Sequence, residues 1–320
     1  MTQKNNSPLL SVICPTLNEE SYIENILSFF IEVSPQDKEL YIVDGGSTDG
    51  TKKKVLKRVA LNPEIHLIEN PDRFVSTGFN KAFIQTKGKY LSLIGAHAIY
   101  PLNYFSTCIK AISTGECDAA GGILIQSGKT NMGKAIGRAM SSQFGVGNTA
   151  FRTSRKRMYV DSVAFAVYDR KVFEKCGFLN EELIRNQDDE FHYRLNQAGF
   201  RILMLPELEV IYYVRDSFSK LFSQYYQYGL YKPLVFKKVR TGMRMRHLIP
   251  SFFVLYLFSL PLALWLLGWG VPLLIYILLS ILFGFRGSAP WKIKLLTPVV
   301  FPVLHIAYGL GFLFGFRKLI

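Results

Sequence analysis

Short apolar runs alternate with amphipathic stretches over roughly the first 240 residues, the pattern that strands and helices give when they follow one another. The apolar runs predict strands at residues 9–14, 40–43, 66–68, 89–94 and 160–165. The stretches between them, with apolar side chains at helical spacing, predict helices over residues 21–32, 52–60 and 76–86. Because the first four strands alternate with helices, the pattern predicts a parallel sheet with right-handed crossovers.

The last segment has a different pattern, because residues 248–320 are almost entirely apolar. Residues 248–285 carry no charged side chain, which predicts two membrane spans that turn near Gly268-Trp269-Gly270. Residues 295–316 predict a third span. The alternative is that some of these segments lie in the membrane interface.

Basic residues flank the predicted spans and orient them. They precede the first span and separate the second from the third: Arg240, Arg244, Arg246, Arg286, Lys292 and Lys294. Positive residues are enriched in cytoplasmic loops, so both groups are expected on the cytoplasmic side. The sequence therefore predicts a multi-pass protein of the cell membrane whose first part faces the cytoplasm.

The net charge of +14 widens the choice of partners to membrane surfaces, anionic small molecules and nucleic acid. Nucleic acid is not expected as a partner, because the sequence shows neither a basic sheet interleaved with aromatics nor a groove-reading helix. The four cysteines lack metal-binding spacing and are predicted to be reduced and packed as small apolar residues: Cys14, Cys108, Cys117 and Cys176.

Chemistry is first suggested by residues 41–51, which predict a buried strand, a glycine-rich turn and a helix start. Asp44 falls at the carboxyl tip of the strand, where open α/β sheets bind ligands. The alternative is a plain turn that uses Asp and Gly for backbone geometry. No phosphate-loop motif is present, so a nucleotide would be held by side chains together with a metal or basic groups.

Two segments carry a family resemblance: Ser11-Val12-Ile13-Cys14-Pro15-Thr16-Leu17-Asn18-Glu19 and Ile42-Val43-Asp44-Gly45-Gly46-Ser47-Thr48-Asp49-Gly50-Thr51. In order and spacing they resemble the start of a family 2 inverting glycosyltransferase, in particular the succinoglycan-type glucosyltransferases of bacterial exopolysaccharide synthesis. The resemblance implies an α/β fold of the GT-A type. It also implies that Pro15, Thr16, Glu19 and Asp44 bind the nucleotide, usually UDP.

The family's Asp-x-Asp, whose carboxylates hold a divalent cation against the diphosphate, is expected after the fourth strand. This chain has Gly95-Ala96-His97 there, and the following residues again resemble the succinoglycan-type group. His97 takes the position of the second Asp, where an imidazole can bind a transition ion. Three alternatives remain: Mn or Mg held by His97 and the diphosphate, neutralisation by Lys and Arg, or an impaired enzyme. His97 can also be an ordinary polar residue at a strand end.

A second acidic centre, Gln187-Asp188-Asp189-Glu190, resembles the family's Glu-Asp motif, with Gln187 in place of the Glu. The resemblance makes Asp188 the general base that deprotonates the acceptor hydroxyl. The alternative is a helix N-terminus that uses acids against its dipole. Four residues are expected on the acceptor side: Asp161, Asp189, Arg215 and Gln224.

These features predict a GT-A catalytic domain over residues 1–230, a basic amphipathic segment over 231–247 and a membrane domain over 248–320. The expected activity is transfer of a hexose from a nucleotide sugar to a saccharide on a polyprenyl diphosphate. Anchoring at the bilayer, with membrane lipids as partners, would concentrate such an acceptor. Gly95 and Gln187 motivate an alternative, a catalytically degenerate binding protein. A processive synthase is disfavoured, because its Gln-x-x-Arg-Trp helix is not found at residues 224–228.

Overall fold

The computed structural model describes residues 7–240, 245–264, 266 and 268–319. Its internal contacts divide the chain into two compact units. The first comprises Met1–Leu124 and Ser154–Tyr212, and the second comprises Ile125–Thr153 and Tyr213–Ile320. The second unit thus contains a segment from the middle of the chain as well as the apolar C-terminal segment.

The described residues form a single nine-stranded sheet. Its strands are β1 (Leu10–Thr16), β2 (Lys38–Asp44), β3 (Ile65–Glu69), β4 (Tyr90–Leu93), β5 (Ala98–Ile99), β6 (Ala119–Ser127), β7 (Met158–Tyr159), β8 (Val167–Asp169) and β9 (Ile202–Tyr213). The order is β3-β2-β1-β4-β8-β6-β9-β5, and β7 pairs with β9. The neighbours from β3 to β4 are parallel, as predicted, whereas β8 is antiparallel to both β4 and β6.

Helices cover the sheet and make up most of the second unit. They are α1 (Ile23–Glu32), α2 (Thr51–Val59), α3 (Val75–Phe83), α4 (Tyr104–Ser113), α5 (Asn131–Met140), α6 (Gln143–Val146), α7 (Ala150–Thr153), α8 (Arg170–Cys176), α9 (Gln187–Gln197), α10 (Phe218–Val239), α11 (Met245–Ser259), α12 (Val271–Phe285) and α13 (Trp291–Gly315). Short 3₁₀ helices follow α11 and α13, at Leu260–Leu264 and Phe316–Leu319.

The central strands β1 and β2 end side by side. Every residue of β2 is buried, and in β1 only Pro15 is partly exposed. The register pairs Leu10 with Lys38 at one end and Thr16 with Asp44 at the other. The loops that follow these strands therefore leave the sheet at the same edge.

The strand predicted over residues 160–165 is wrong. Val160 still donates a backbone hydrogen bond to Ile202 at 3.0 Å, but the extended pairing stops there. Phe165 has a φ of +54°, in the left-handed region, which an extended strand cannot include. Regular pairing resumes only at Val167, where β8 begins.

In the second unit α10 and α13 approach each other closely. A side chain on Gly311 would collide with the carbonyl oxygen of Tyr226, and one on Gly315 with that of Leu230. Glycines four residues apart on one helix permit this backbone contact. The core around it includes Leu221 and Phe301, both fully buried.

One helix of the described residues, Trp291–Leu319 with its 3₁₀ extension, is long and apolar enough to cross a membrane. The two other apolar helices, His247–Leu262 and Val271–Phe285, are shorter. Length and composition thus support one of the three predicted spans. The turn predicted near residue 268 is present, with Gly268 at a φ of +89°. In the preceding basic cluster, Arg244 and the side chain of Arg246 lie outside the described residues.

Candidate active site

Side-chain hydrogen bonds join the loops that follow β1 and β2. The Asn18 side-chain oxygen accepts from the Thr48 N–H at 2.8 Å, and the Asn18 N–H donates to the Ser47 hydroxyl at 2.9 Å. The Glu19 N–H donates to the Thr51 hydroxyl, also at 2.9 Å. The two segments that carry the family resemblance are therefore fixed to each other.

Asp44 ends β2 and is only 3% exposed. One carboxylate oxygen accepts from the backbone N–H groups of Gly46 and Ser47, at 3.2 and 3.0 Å. The other accepts from the Ser47 hydroxyl at 2.5 Å. Asp44 thus shapes its own turn, while carboxylate oxygens keep further acceptor sites for a ligand. Its role in nucleotide binding stays a prediction.

Pro15 and Thr16 lie beside this turn, at the end of β1. The Thr16 carbonyl accepts from the Gly45 N–H at 2.8 Å, and the Thr16 hydroxyl lies 3.4 Å from the Val43 carbonyl oxygen. Thr16 therefore adjoins the Asp44 turn, and Pro15 precedes it in the strand; nucleotide binding by both stays a prediction.

Arg73 belongs to this edge of the sheet and was not expected there. Its guanidinium nitrogens lie 3.9 and 4.0 Å from the place that a Cβ on Gly46 would occupy. The loop after β3 holds its backbone at a φ of +65°. The available signal was a basic residue in the loop that follows the third parallel strand, because parallel strands end at one edge of a sheet.

His97 and Glu19 form a pair. The His97 Nδ1 lies 3.1 Å from a Glu19 carboxylate oxygen, and both side chains are mostly buried. The His97 ring also packs edge-on against Tyr212, with centroids 5.1 Å apart. The structure thus joins a residue expected to bind the nucleotide with the residue expected near the diphosphate.

Gly95 stands where the family's first metal-binding Asp is expected, and its surroundings are aromatic. A Cβ at this position would lie 3.0 and 3.2 Å from two ring carbons of Phe165. On the other side, the Gly95 N–H donates to the Tyr100 hydroxyl at 2.8 Å. A side chain at residue 95 would therefore need the Phe165 ring to give by a few tenths of an ångström.

These residues do not fit the two-carboxylate metal site that the resemblance implies. Gly95 supplies no side-chain ligand, and among the described residues the carboxylate in contact with His97 is that of Glu19. Within the described part of the chain, no group of three or more His, Cys, Asp or Glu side chains is placed to hold a metal ion. His97 as a metal ligand stays a prediction.

Asp188 lies in the first turn of α9 and is exposed, and Asp189 beside it is partly exposed. Burial raises the pKa of the Tyr168 hydroxyl, and the negative charge of Asp188 raises it further. Gln187, which replaces the family's Glu, is buried, and its side-chain oxygen has no hydrogen-bond partner among the described residues. At the start of a helix, the Asp188 carboxylate can interact favourably with the helix dipole. This position is also compatible with the predicted role of general base.

A buried histidine behind Asp188 was missed by the sequence reasoning. His192 Nε2 lies 2.8 Å from the Tyr168 hydroxyl, and Nδ1 lies 3.0 Å from the Ser162 hydroxyl. Burial lowers the pKa of His192 to about 4, against a smaller opposing effect of Asp189. A neutral His192 therefore links α9 to β8 and to the segment before it.

The remaining acceptor-side residues lie in both units. In the first, the Asp161 carbonyl accepts from the Asn196 side chain of α9 at 2.8 Å. In the second, Arg215 is exposed just before α10, and Gln224 within α10 donates to the Tyr228 hydroxyl at 3.1 Å. Their convergence with Asp44, His97 and Asp188 on one acceptor stays a prediction.

The mostly parallel sheet flanked by helices is a GT-A fold. The chain belongs to glycosyl transferase family 2, whose family model matches residues 11–177. It is thus a glycosyltransferase, and the predicted family and fold are confirmed.

Two relatives match almost the whole chain. The succinoglycan biosynthesis protein ExoA of Rhizobium meliloti (strain 1021) is 29% identical over 96% of both chains. A dolichyl N-acetyl-alpha-D-glucosaminyl phosphate 3-beta-D-2,3-diacetamido-2,3-dideoxy-beta-D-glucuronosyltransferase of Methanococcus voltae is 27% identical over 97% of both chains.

Two solved structures share the fold. The mannosyltransferase PcManGT of Pyrobaculum calidifontis, in complex with GDP-Man and Mn²⁺, has a TM-score of 0.64 at 15% identity, covering 98% of this chain and 88% of its own. GalNAc-T7 with UDP, GalNAc and Mn²⁺ has a TM-score of 0.51 at 16% identity, covering 66% of this chain and 45% of its own.

Proposed function

We propose that this glycosyltransferase is membrane-associated and inverting, and that it moves a hexose from a nucleotide sugar to a saccharide carried by a polyprenyl diphosphate. The expected nucleotide is UDP, and the expected setting is exopolysaccharide or cell-surface glycan synthesis. The name of the Rhizobium relative supports the setting, and that of the Methanococcus relative supports a lipid-linked acceptor.

The observation that carries the proposal is the pair of joined loops at the ends of β1 and β2. They present Asp44 and Glu19 at the edge where parallel sheets bind ligands. In our proposal Asp44, Pro15 and Thr16 bind the base and ribose, and Glu19 with His97 lies toward the diphosphate.

Asp188 is the proposed general base. The acceptor hydroxyl oxygen forms a bond to the anomeric carbon of the donor sugar as the bond from that carbon to the diphosphate oxygen breaks. The hydroxyl proton passes to the Asp188 carboxylate, and the nucleoside diphosphate leaves. Because the attack comes from the face opposite the leaving group, the anomeric configuration is inverted. The protein's main contribution is to hold the two reactants in line.

In our proposal the apolar helices hold the protein at the membrane that carries the acceptor. α11 and α12 expose large apolar side chains, among them Phe258 and Leu282 at 73% and 63%. Continuous exposed apolar surface is typical of contact with lipid or another apolar partner. We propose a catalytic domain over residues 1–230 at the cytoplasmic face, a basic segment over 231–247 and a membrane domain of about three segments over 248–320. Asp161, Asp189, Arg215 and Gln224 are the proposed acceptor contacts.

The test is transfer by membranes from cells that express the full chain. Membranes are incubated with labelled UDP-hexoses and GDP-mannose, and the lipid extract is analysed for labelled saccharide. We expect label from a UDP-hexose in a lipid that mild acid cleaves, as it does a sugar diphosphate. Incorporation only into water-soluble product would contradict the lipid-linked acceptor.

A second candidate, a non-catalytic binding protein, is favoured by the closed position at Gly95 and by the unpaired oxygen of Gln187. This candidate predicts that UDP binds to the purified chain while no donor yields product. Transfer from any donor removes it.

A further inference from the structure

We propose that Phe165 takes the place of the family's first metal-binding carboxylate, so that this chain binds the donor diphosphate without a divalent cation. Gly95 and Phe165 then form a matched pair, in which the glycine makes room for the ring and the ring excludes an acid. The inference rests on the proposed donor site and concerns how that site handles charge.

The space beside Gly95 is limited by Phe165. The backbone of Gly95 does not require glycine, because its φ is not among the positive values of the chain. The Phe165 ring is the obstacle, at 3.0 and 3.2 Å from a Cβ on residue 95. An aspartate would extend beyond its Cβ by a whole carboxylate. A Cβ alone therefore needs the ring to give by a few tenths of an ångström, and a metal-binding acid adds a carboxylate that must be placed beside it.

The ring is held in place from several sides. The Phe165 carbonyl accepts from the hydroxyl of Tyr104, a fully buried residue, at 2.8 Å. The ring packs edge-on against Tyr100, with centroids 5.5 Å apart, and lies 6.4 Å from that of Tyr212. Phe165 is partly exposed, but displacing its ring would disturb its packing against Tyr100 and Tyr212.

The chemistry of the remaining groups is the second argument. Mg²⁺ and Mn²⁺ prefer oxygen ligands, whereas imidazole suits later transition metals. At the end of β4 the chain offers an imidazole, and its Nδ1 lies 3.1 Å from Glu19. Near the end of β2, by contrast, the Arg73 guanidinium lies over Gly46. A guanidinium binds phosphate oxygens in pairs and needs no metal to do so.

The test measures nucleotide binding and does not depend on transfer. UDP and GDP are titrated into the detergent-solubilised full chain by calorimetry, with EDTA or with Mn²⁺, and Mn²⁺ retention is followed by electron paramagnetic resonance. For the wild type we expect the same Kd under both conditions, within about twofold. Tightening by Mn²⁺ of about tenfold or more would overturn the proposal. Failure of both nucleotides to bind would also overturn it.

Variants test whether the ring is the cause. G95D combined with F165G is expected to gain Mn²⁺-dependent tightening of about tenfold, whereas the matched amide G95N with F165G is expected to gain none. A double variant that responds to Mn²⁺ no better than its amide control overturns the role of Phe165. G95D alone with full Mn²⁺ dependence overturns it as well. The wild-type comparison decides the main claim even if a variant fails to fold.

The two proposals fail in different ways. Metal-independent binding of UDP without transfer would remove the proposed activity and leave this inference standing. Transfer with strongly Mn²⁺-dependent binding would do the reverse.

Discussion

The parallel strands β2 and β4 end at the same edge of the sheet. The turn that follows β2 carries polar, hydrogen-bonded residues, whereas Gly95 after β4 is surrounded by aromatic side chains. At the end of β2, Asp44 accepts three hydrogen bonds from its own turn, and the turn is joined to the loop after β1. At the end of β4, Gly95 has no side chain, and a Cβ there would lie 3.0 Å from the Phe165 ring.

The difference teaches that one edge of the sheet can keep polar side chains at the end of β2 and have aromatic side chains in their place near the end of β4. At the β2 end the Asp44 carboxylate is bonded by Gly46 and Ser47, two and three residues away, although the turn is also joined to the loop after β1. The β4 end contacts Phe165, which with its neighbour Tyr212 comes from distant parts of the chain, as well as Tyr100, five residues from Gly95. The first resembles the family, and the second departs from it.

The largest expected effect on the transfer rate comes from Asp188. In our proposal this residue acts on the acceptor, whereas the two strand ends act on the donor. Asp188→Asn should lower the transfer rate by about 10²–10⁴-fold, because the acceptor hydroxyl loses its base. UDP affinity should change by less than about threefold, since this residue is not assigned to donor binding. Rates and calorimetric affinities are measured on the same preparation.

Asp189→Asn is the matched comparison: because Asp189 is a proposed acceptor contact and not the base, its loss should lower transfer by no more than about tenfold. Equal losses in the two variants would remove the specific role of Asp188. A loss of UDP binding in Asp188→Asn would instead point to a structural effect.

The β2 end is tested by Asp44→Asn. UDP binding should weaken by about 10–100-fold, because hydrogen bonds to a charged group contribute about 1.5–3 kcal/mol. Ser47→Ala, which leaves the carboxylate but removes both the 2.5 Å hydroxyl contact and the acceptor of the Asn18 N–H, is the comparison and should cost less than about fivefold. Unchanged affinity in Asp44→Asn would reduce the acid to a turn former.

Strand β4 pairs with β8, and Tyr168 of β8 contacts the neutral His192. The pKa of His192 is about 4 in the folded protein and about 6.5 when unfolded. The unfolded state therefore binds more protons between these values, and stability should fall as the pH drops below about 6.5. Between pH 7 and pH 5 the expected loss is about 2 kcal/mol in the free energy of unfolding.

Denaturant unfolding in detergent at the two pH values measures this loss, and His192→Gln should make it smaller. The same pH dependence in wild type and variant would show that other groups are responsible.

The smallest effect compares alanine at the two strand ends. A Cβ on Gly45 would meet its neighbours at 3.4 Å or more, an ordinary contact, whereas one on Gly95 would meet Phe165 at 3.0 Å. Gly95→Ala should therefore cost about 1 kcal/mol of stability, and Gly45→Ala about half of that or less. In a Phe165→Gly background the cost at residue 95 should nearly vanish. Equal costs at the two glycines would contradict the tight fit at residue 95.

Local patterns allowed much of the fold and part of the site to be predicted. β1, β2 and the turn at Asp44 follow from short apolar runs and from residues adjacent in sequence. The error at residues 160–165 arose because the left-handed φ of Phe165 depends on its packing, which an apolar run does not reveal. The contact between Phe165 and the Cβ position of Gly95 could not be predicted from the sequence, because the two residues are far apart in the chain. The apolar C-terminal segment predicted three spans, yet its first two helices are short.

The most direct test of the central claim, direct displacement by an acceptor hydroxyl that Asp188 deprotonates, is the anomeric configuration of the first product. An α-linked UDP-hexose is turned over by the wild-type chain, and the new linkage is assigned from its proton coupling by NMR. The account predicts a β linkage. An α linkage would mean retention, which a single displacement cannot give, and would contradict the account.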